Sequence, residues 1–319
     1  MANRIRISTL GPRPPRDNPG SGQGAVDSMV AFWRGRLDQV WADRPDLVVV
    51  PECCDRFPAH GPEQRQEYYL YRGDRVRDYF AEEARRRRCF ITYPAVRRLA
   101  DGTWRNSVEL LGRDGETVGT YNKNYPVITE TTEAGILCGR EAPVWETEFG
   151  RVGCLVCFDM NFDEIRRRYA GARPDLLLFC SMYHGGLMQG YWAYSCRAHL
   201  VTAVSGAPCA VLSPLGETLA ESTNYFDFVS TEVNLDCRVA HLDFNWDKLR
   251  AAREKYGPEC RVHDPGFLGS VLLSSEGEGR SAAAIVAEFG IEELDDYMAR
   301  STAHRLAEGH MERPEGQKE

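Results

Sequence analysis

Leu47-Val48-Val49-Val50-Pro51-Glu52 is an apolar run that ends on a proline and a carboxylate. Its four aliphatic residues do not alternate with polar ones, which is typical of a strand that is buried on both faces of its sheet. Glu52 therefore stands where that strand should end. A carboxylate is costly to bury at such a place unless it is paired, and a positioned carboxylate suits general-base catalysis.

Two more reactive side chains stand at predicted strand ends. Lys123 follows Gly119-Thr120-Tyr121-Asn122, and Cys157 ends Val152-Gly153-Cys154-Leu155-Val156 just before a predicted helix. A thiol at a strand-to-helix turn faces the positive end of the helix dipole, which predicts a lowered pKa for Cys157. An inert buried cysteine and an exposed loop lysine are the alternatives. Taken together, a carboxylate, an ammonium and a thiol provide a base, an oxyanion stabiliser and a nucleophile for cleaving a carbon–nitrogen bond through a covalent intermediate.

Predicted strands and helices alternate along the chain, with hairpin signals between some of them. The Asp101-Gly102 and Asp114-Gly115 turns bracket a predicted strand and indicate an antiparallel part of the sheet. The pattern therefore predicts a mixed α/β fold. The predicted strands cover 5–10, 47–50, 90–96, 107–111, 152–157, 175–181, 209–213 and 228–233. The predicted helices cover 25–42, 74–88, 163–170, 189–201, 243–256 and 283–307.

Composition narrows the class of protein. The 319 residues are 43% hydrophobic and carry a formal net charge of -8, which argues against nucleic acid and membrane surfaces as partners. The sequence shows no secretion signal and no long apolar span, and its eleven cysteines then indicate a reduced, cytoplasmic protein. Cys154 and Cys157 form a CxxC pair, but residues three apart on a strand point to opposite faces, so we expect no metal site there.

These segments resemble the nitrilase superfamily of carbon–nitrogen hydrolases, from about residue 5 to about residue 236. The family's Glu motif matches Val48-Val49-Val50-Pro51-Glu52. Its Lys motif matches Asn106-Ser107 and Tyr121-Asn122-Lys123, and its Cys motif matches the segment from Gly153 to Phe162. Each motif alone is weakly specific, whereas three in the family's order are strongly specific. The implied fold is a four-layer α-β-β-α sandwich that pairs with a second copy.

The resemblance also implies residue roles. Glu52 would be the general base, Cys157 the nucleophile and Lys123 the stabiliser of the tetrahedral intermediate, helped by the backbone N–H of Phe158. Many members carry a second glutamate downstream of the lysine. Glu133 fits best by its distance to Gly139, and Glu130 fits nearly as well by its distance from Lys123. Both remain candidates.

Three further residues are candidates for substrate contact. Phe158-Asp159 after the nucleophile is closer to amidases and carbamoylases than the Trp-Glu of members that hydrolyse nitriles. Tyr183 and His184 follow a predicted strand on the same rim as Cys157 and are expected to line the pocket. A loop histidine in solvent is the alternative for His184.

The sequence therefore predicts a cytoplasmic amidohydrolase that acts on a small amide or N-carbamoyl compound and needs no metal or organic cofactor. A nitrilase, an N-acyltransferase and a non-catalytic binding protein on the same fold are the alternatives. We expect a catalytic domain over residues 1–280 and a C-terminal helical extension over 281–319. Apolar positions in that extension, including Ile285, Phe289 and Leu294, predict contact with a second copy and hence at least a homodimer.

Overall fold

The computed structural model describes residues 2–312. This part of the chain forms two compact units. The larger unit is Arg4–Leu235, and the smaller unit comprises the residues from Asp236 onward together with the first few residues of the chain. The domain boundary predicted at residue 280 stays a prediction, and residues 313–319 of the predicted extension lie outside the described residues.

The two units are built from the following elements. The strands are β1 Arg4–Leu10, β2 Leu47–Val49, β3 Phe90–Arg98, β4 Trp104–Leu111, β5 Thr117–Asn122, β6 Val144–Thr147, β7 Gly150–Val156, β8 Leu176–Ser181, β9 His199–Val204, β10 Ala210–Leu212, β11 Thr218–Glu221, β12 Phe228–Asn234, β13 Cys237–His241, β14 Cys260–His263 and β15 Ser270–Ser275. The α-helices are α1 Gln23–Leu37, α2 Pro62–Arg72, α3 Arg75–Arg87, α4 Ile128–Thr132, α5 Asp163–Ala172, α6 Met188–Cys196, α7 Trp246–Tyr256, α8 Ala282–Phe289 and α9 Leu294–Leu306.

Two six-stranded sheets form the centre of the larger unit. Their strand orders are β12-β1-β2-β3-β4-β5 and β11-β10-β9-β8-β7-β6. In each sheet the central strands are parallel, namely β1, β2 and β3 in the first and β7, β8 and β9 in the second, and the outer pairs are antiparallel. Parallel strands place their carboxyl ends at one edge, so the residues after β2, and likewise those after β7 and β8, lie on a common rim of their sheet.

Three hydrophobic cores show how the layers stack. Leu47 and Val49 of β2 belong to a core that also contains Val152 and Cys154 of β7, so this core lies between the two sheets. Val48 packs on the other side of its sheet with residues of α1, α2 and α3. The outer face of the second sheet packs against α5 and α6. The predicted four-layer α-β-β-α sandwich is confirmed.

Some predicted element boundaries were wrong. The helix predicted over 189–201 ends at Cys196, because Arg197 is left-handed with φ 54° and β9 begins at His199. The helix predicted over 283–307 is two helices, since Gly290 at φ 58° ends α8. Helix α2, which follows the Glu52 segment, was not predicted at all. Its buried face is mostly aromatic rather than aliphatic, with Tyr68 and Tyr69.

The smaller unit has a core of its own. A three-stranded antiparallel sheet, β13-β15-β14, packs against α7 and α8. Ile285, Val286, Ile291 and Leu294 are buried, and Phe289 packs against this core. The argument that these apolar side chains need a second copy to cover them was therefore wrong. The three strands that cover them are short and were not recognised in the sequence. The homodimer itself stays a prediction.

Among residues 2–312, no helix combines the length and the apolar character needed to cross a bilayer.

Candidate active site

The three reactive side chains predicted from the sequence lie together in the larger unit. Glu52 is in the turn after β2, Lys123 directly follows β5, and Cys157 directly follows β7. All three line one cavity of about 730 Å³. Glu52 and Lys123 are almost fully buried, whereas Cys157 is partly accessible. An accessible thiol beside a buried carboxylate and a buried ammonium is the arrangement expected for covalent catalysis.

Lys123 is held between two carboxylates. Its Nζ lies 2.8 Å from Oε1 of Glu52 and 2.8 Å from Oε2 of Glu130. Burial acts to lower the pKa of Lys123, but the charges of Glu52 and Glu130 outweigh it and raise the pKa above its ordinary value. The ammonium therefore stays charged inside the cavity, where a fixed positive charge is worth more than in water.

Asn106 ties the two carboxylates together. Its Nδ2 donates to Oε1 of Glu52 at 2.8 Å and to Oε1 of Glu130 at 3.0 Å. Its backbone carbonyl also accepts from the backbone N–H of Lys123 at 2.8 Å, which fixes the start of the segment that follows β5. Asn106 belongs to the motif quoted above, but the sequence did not predict this positioning role.

The structure separates the two candidates for the second glutamate. Glu130 contacts Lys123 and Asn106, and it also accepts from the backbone N–H of Val127 at 2.8 Å, so its position is fixed within α4. Glu133 follows the last residue of that helix and is exposed. Sequence spacing favoured Glu133. The hydrogen bonds instead support Glu130, because both glutamates line the cavity but only Glu130 contacts Lys123 and Asn106.

This difference predicts unequal effects of two matched substitutions. Glu130→Gln removes one of the two charges that hold Lys123, and we expect a loss in kcat on the order of 100-fold, comparable to losing a positioned catalytic group. Glu133→Gln is expected to stay within about threefold of wild type, since Glu133 lines the cavity as an exposed side chain and contacts neither Lys123 nor Asn106. Steady-state kinetics of both variants tests this. A larger loss for Glu133→Gln than for Glu130→Gln would contradict the assignment.

Cys157 has a backbone conformation that is rare for a residue with a side chain. Its φ is 50°, and a five-residue 3₁₀-helix, Cys157–Asn161, follows β7. Left-handed conformations in non-glycine residues carry strain and occur often at functional sites. The turn ends the strand at Val156 and leaves the thiol in the cavity beside Glu52.

The predicted lowering of the Cys157 pKa was wrong. The pKa is raised to about 12, first by burial and then by the negative charge of Glu52. The charge of Lys123 and a backbone hydrogen bond from Met182 act in the opposite direction but do not outweigh these effects. The 3₁₀-turn is too short to supply the dipole of a regular helix, and α5 begins only at Asp163. A raised pKa favours the neutral thiol form of Cys157 over the thiolate.

Asp159 fixes the turn that carries Cys157. It is fully buried and accepts from Tyr121 Oη at 2.7 Å, from the backbone N–H of Tyr125 at 2.7 Å and from that of Val156 at 3.0 Å. Burial raises the pKa of Asp159 to about 6, although these three donors act to lower it. The side chain thus links β5, the segment after Lys123 and the end of β7.

The predicted substrate-contacting residues lie close to Cys157 in sequence or on its rim, but none of them lines the cavity. Phe158 is exposed and its ring packs edge-on against Phe162, with centroids 5.2 Å apart. Tyr183 accepts from Asn161 at 3.0 Å, and Nδ1 of His184 accepts from the backbone of Gly186. The residue after β8 that does line the cavity is Met182. Contact of Phe158, Tyr183 and His184 with substrate stays a prediction.

Several cavity residues were not recognised in the sequence. Arg56 lies in the loop after Glu52, Arg65 and Tyr69 lie on α2, and Trp104 begins β4. None of these belongs to a motif that carries chemistry by itself. Recognising α2 as a helix beside the Glu52 segment is the one signal that would have placed Arg65 and Tyr69 at the site.

The CxxC pair does not form a second site. Cys154 is fully buried in the core between the sheets, beside Cys180. Cys157 packs against the edge of that same core. The expectation that the two thiols point to opposite faces of β7 was therefore wrong, because the strand ends at Val156 and Cys157 lies beyond it. Over the described residues, no three His, Cys, Asp or Glu side chains are grouped so as to hold a metal ion.

Comparisons with known proteins indicate the family and the fold of this chain. The family described as carbon-nitrogen hydrolase matches residues 38–224, which is more than half of the chain. Among solved structures, a carbon-nitrogen hydrolase from Helicobacter pylori has a TM-score of 0.61 at 17% identity, covering 73% of this chain and 90% of that one. An amidase from Nesterenkonia sp. has a TM-score of 0.60 at 19% identity, covering 72% of this chain and 90% of that one. At these identities the likeness concerns the fold alone.

Curated relatives match over shorter stretches. A probable nitrilase of Schizosaccharomyces pombe is 32% identical over 73 residues, which are 23% of this chain and 26% of that protein. The human deaminated glutathione amidase is 28% identical over 113 residues, which are 31% of this chain and 34% of that protein. The chain thus matches about a quarter to a third of the length of these relatives. From the family match and the shared fold, this chain belongs to the carbon–nitrogen hydrolase family.

Proposed function

We propose that this protein is an amidohydrolase that cleaves a small, non-peptide amide through a Cys157 acyl-enzyme. The observation that carries the proposal is the cluster in which Lys123 lies 2.8 Å from both Glu52 and Glu130, in the same cavity as the Cys157 thiol. It rests on the chemistry of these four side chains rather than on the identity of any relative.

In the first half of the reaction the thiol of Cys157 becomes acylated. Glu52 accepts the proton of Cys157 as the sulfur attacks the carbonyl carbon, and Lys123 stabilises the negative charge that develops on the oxygen. The intermediate then collapses, the carbon–nitrogen bond breaks, and Glu52 returns the proton to the leaving ammonia or amine. Because the thiol is neutral at rest, this step requires a base beside it, and Glu52 is that base.

In the second half water removes the acyl group. Glu52, again unprotonated, takes a proton from water as the water oxygen attacks the thioester carbon. The carbon–sulfur bond breaks, the acid leaves, and the proton returns to Cys157. Glu130 keeps Lys123 in place and charged while Glu52 is protonated and deprotonated, because Glu130 supplies a second, independent negative charge.

Known relatives support this choice of reaction without deciding it. A single mutant of the Nesterenkonia amidase has been solved with the acetamide moiety of fluoroacetamide added covalently to its active-site cysteine, and a double mutant has been solved with acrylamide. The probable nitrilase among the curated relatives keeps nitrile hydrolysis as the second candidate. The N-acyltransferase and the non-catalytic binding protein have no comparable support.

A product screen tests the proposal. Purified protein is incubated with small amides, N-carbamoyl compounds and nitriles, and ammonia and the organic product are quantified. We expect ammonia and an acid from amides or N-carbamoyl compounds, and a mass increase on Cys157 in rapidly quenched samples. An acid from nitriles with none from amides would establish the nitrilase instead. If there is no turnover and iodoacetamide does not alkylate Cys157, the non-catalytic protein is favoured.

We also propose that the protein works in the cytoplasm, without metal or organic cofactor, as at least a homodimer. The homodimer rests on the resemblance to the nitrilase superfamily alone. Light scattering of the active protein tests the dimer, and a single species of 36.0 kDa with full activity would rule it out.

A further inference from the structure

Two arginines line the cavity that contains Cys157, and we propose that they bind a carboxylate carried by the substrate. This inference rests on the proposed amidohydrolase function and names its substrate class, a small amide with a free carboxylate at its other end. Arg56 comes from the loop after Glu52 and Arg65 from α2.

Neither arginine has an acidic partner in the part of the chain that is described. Nε of Arg56 and Nε of Arg65 are both buried without a hydrogen-bond partner. Arg65 donates from Nη2 to the backbone oxygen of His60 at 2.8 Å, which leaves the rest of its guanidinium for another acceptor. A buried guanidinium N–H without an acceptor is costly, and a carboxylate is the group whose geometry a guanidinium matches best.

Arg72, in the same unit, is a buried arginine whose guanidinium has partners within the protein. It is also buried, and it contacts the Asp55 carboxylate, Tyr93 Oη at 3.2 Å and the backbone oxygen of Val96 at 2.7 Å. Its charge is therefore neutralised within the protein. Nε of Arg72 also lacks a partner, but Arg72 has a carboxylate beside it, whereas Arg56 and Arg65 have none among the described residues. This difference points to an anion that comes from outside.

The acidic residues that line the cavity do not pair with Arg56 or Arg65. Glu52 and Glu130 are bonded to Lys123 and Asn106. Glu63 and Glu133 are exposed to solvent and form no ion pair with either arginine. The charge of Arg56 instead acts on Cys53 and Tyr69, both of which are cavity residues, and lowers the pKa that burial raises in each.

The rest of the cavity wall suits a short carbon chain. Tyr69 and Trp104, whose rings are 6.2 Å apart, line it together with Val96 and Ile136. A volume of about 730 Å³ exceeds what a two-carbon amide fills and lies within the range of sites that bind larger ligands. An amide at one end, a few methylene groups and a carboxylate at the other end together match the thiol, the apolar wall and the two arginines.

Matched substrates test the inference directly. Succinamate, glutaramate and adipamate each carry a carboxylate, and their methyl esters are neutral molecules of nearly the same shape. We expect wild-type protein to prefer at least one acid over its ester in kcat/KM. Arg56→Gln and Arg65→Gln are each expected to reduce that preference on the order of 10- to 100-fold, the usual value of a charge-assisted hydrogen bond. Arg56→Lys keeps the charge and should retain part of the preference.

Arg34→Gln is the matched control, because Arg34 is exposed on α1 and lies outside the cavity. It should leave both the acid and the ester rates unchanged. Thermal unfolding of each variant identifies any that fail to fold. Turnover of amides without a preference for acids, or a preference that survives in both glutamine variants, would overturn the inference while leaving the proposed amidohydrolase standing.

A second measurement tests the carboxylate site without requiring that any amide of the panel has the length needed for cleavage. Succinate, glutarate and adipate should slow the alkylation of Cys157 by iodoacetamide, and their dimethyl esters should not. Protection that is lost in Arg56→Gln supports the carboxylate site even if no amide of the panel is cleaved. Absence of both turnover and protection, with Cys157 still alkylated, would overturn it.

Discussion

Cys157→Ala is expected to reduce turnover to the background rate, whereas Cys154→Ala should keep most of the activity. The thiol of Cys157 forms the covalent bond in the proposed reaction, and loss of a catalytic nucleophile costs on the order of a millionfold in kcat. Cys154 lies in the core between the sheets and does not line the cavity. Single-turnover kinetics with an amide substrate would measure both losses.

Stability serves as the control for this pair. Cys154 is fully buried, so Cys154→Ala should lower the free energy of unfolding by about 1 kcal/mol, as expected for a small loss of core volume. Cys157 is at the edge of the core and partly accessible, so its alanine variant should be no less stable. Equal loss of activity in both variants at equal stability would instead indicate a paired-thiol site.

The buried strands β2 and β8 were the easiest part of the fold to predict. β2 and β8 are short apolar runs without alternation, and such runs have few alternatives to a buried strand. Glu52 and Cys157 could be placed at strand ends because each follows an apolar run, and Lys123 because it follows a stretch of mixed apolar and polar residues. Their meeting in one cavity depended on the pairing of distant strands, which the family resemblance supplied and local patterns did not.

The details around these residues depended on local backbone geometry that no pattern encodes. Glu130 rather than Glu133 contacts Lys123, although both line the cavity, because Glu130 lies within α4 with its carboxylate fixed by the backbone N–H of Val127. The pKa of Cys157 is raised rather than lowered because a 3₁₀-turn replaces the expected helix and Glu52 lies beside the thiol. The first outcome follows from the short segment after Lys123, and the second from a turn and from Glu52, which is far from Cys157 in sequence.

Glu52→Gln is expected to reduce kcat by about a hundredfold or more, because the variant cannot accept the proton of the thiol or of the attacking water. It should also change the thiol itself. Burial and then the charge of Glu52 raise the pKa of Cys157 in the wild type, while Lys123 opposes them. Glutamine removes the second of these causes and keeps Lys123, so the pKa of Cys157 should fall below its wild-type value.

Two readouts therefore move in opposite senses in one variant. At a fixed, mildly alkaline pH the thiolate fraction of Cys157 should rise in Glu52→Gln, measured as thiolate absorbance relative to the same protein with Cys157→Ala, while turnover falls. A variant that only damaged the fold would lose activity and thermal stability without a lower thiol pKa. Glu52→Asp provides a further comparison, since it keeps the charge but shortens the side chain by one methylene. Near-normal turnover in Glu52→Gln would show that another group accepts the proton, whereas lost turnover with an unchanged thiol pKa would place Glu52 outside the reach of Cys157.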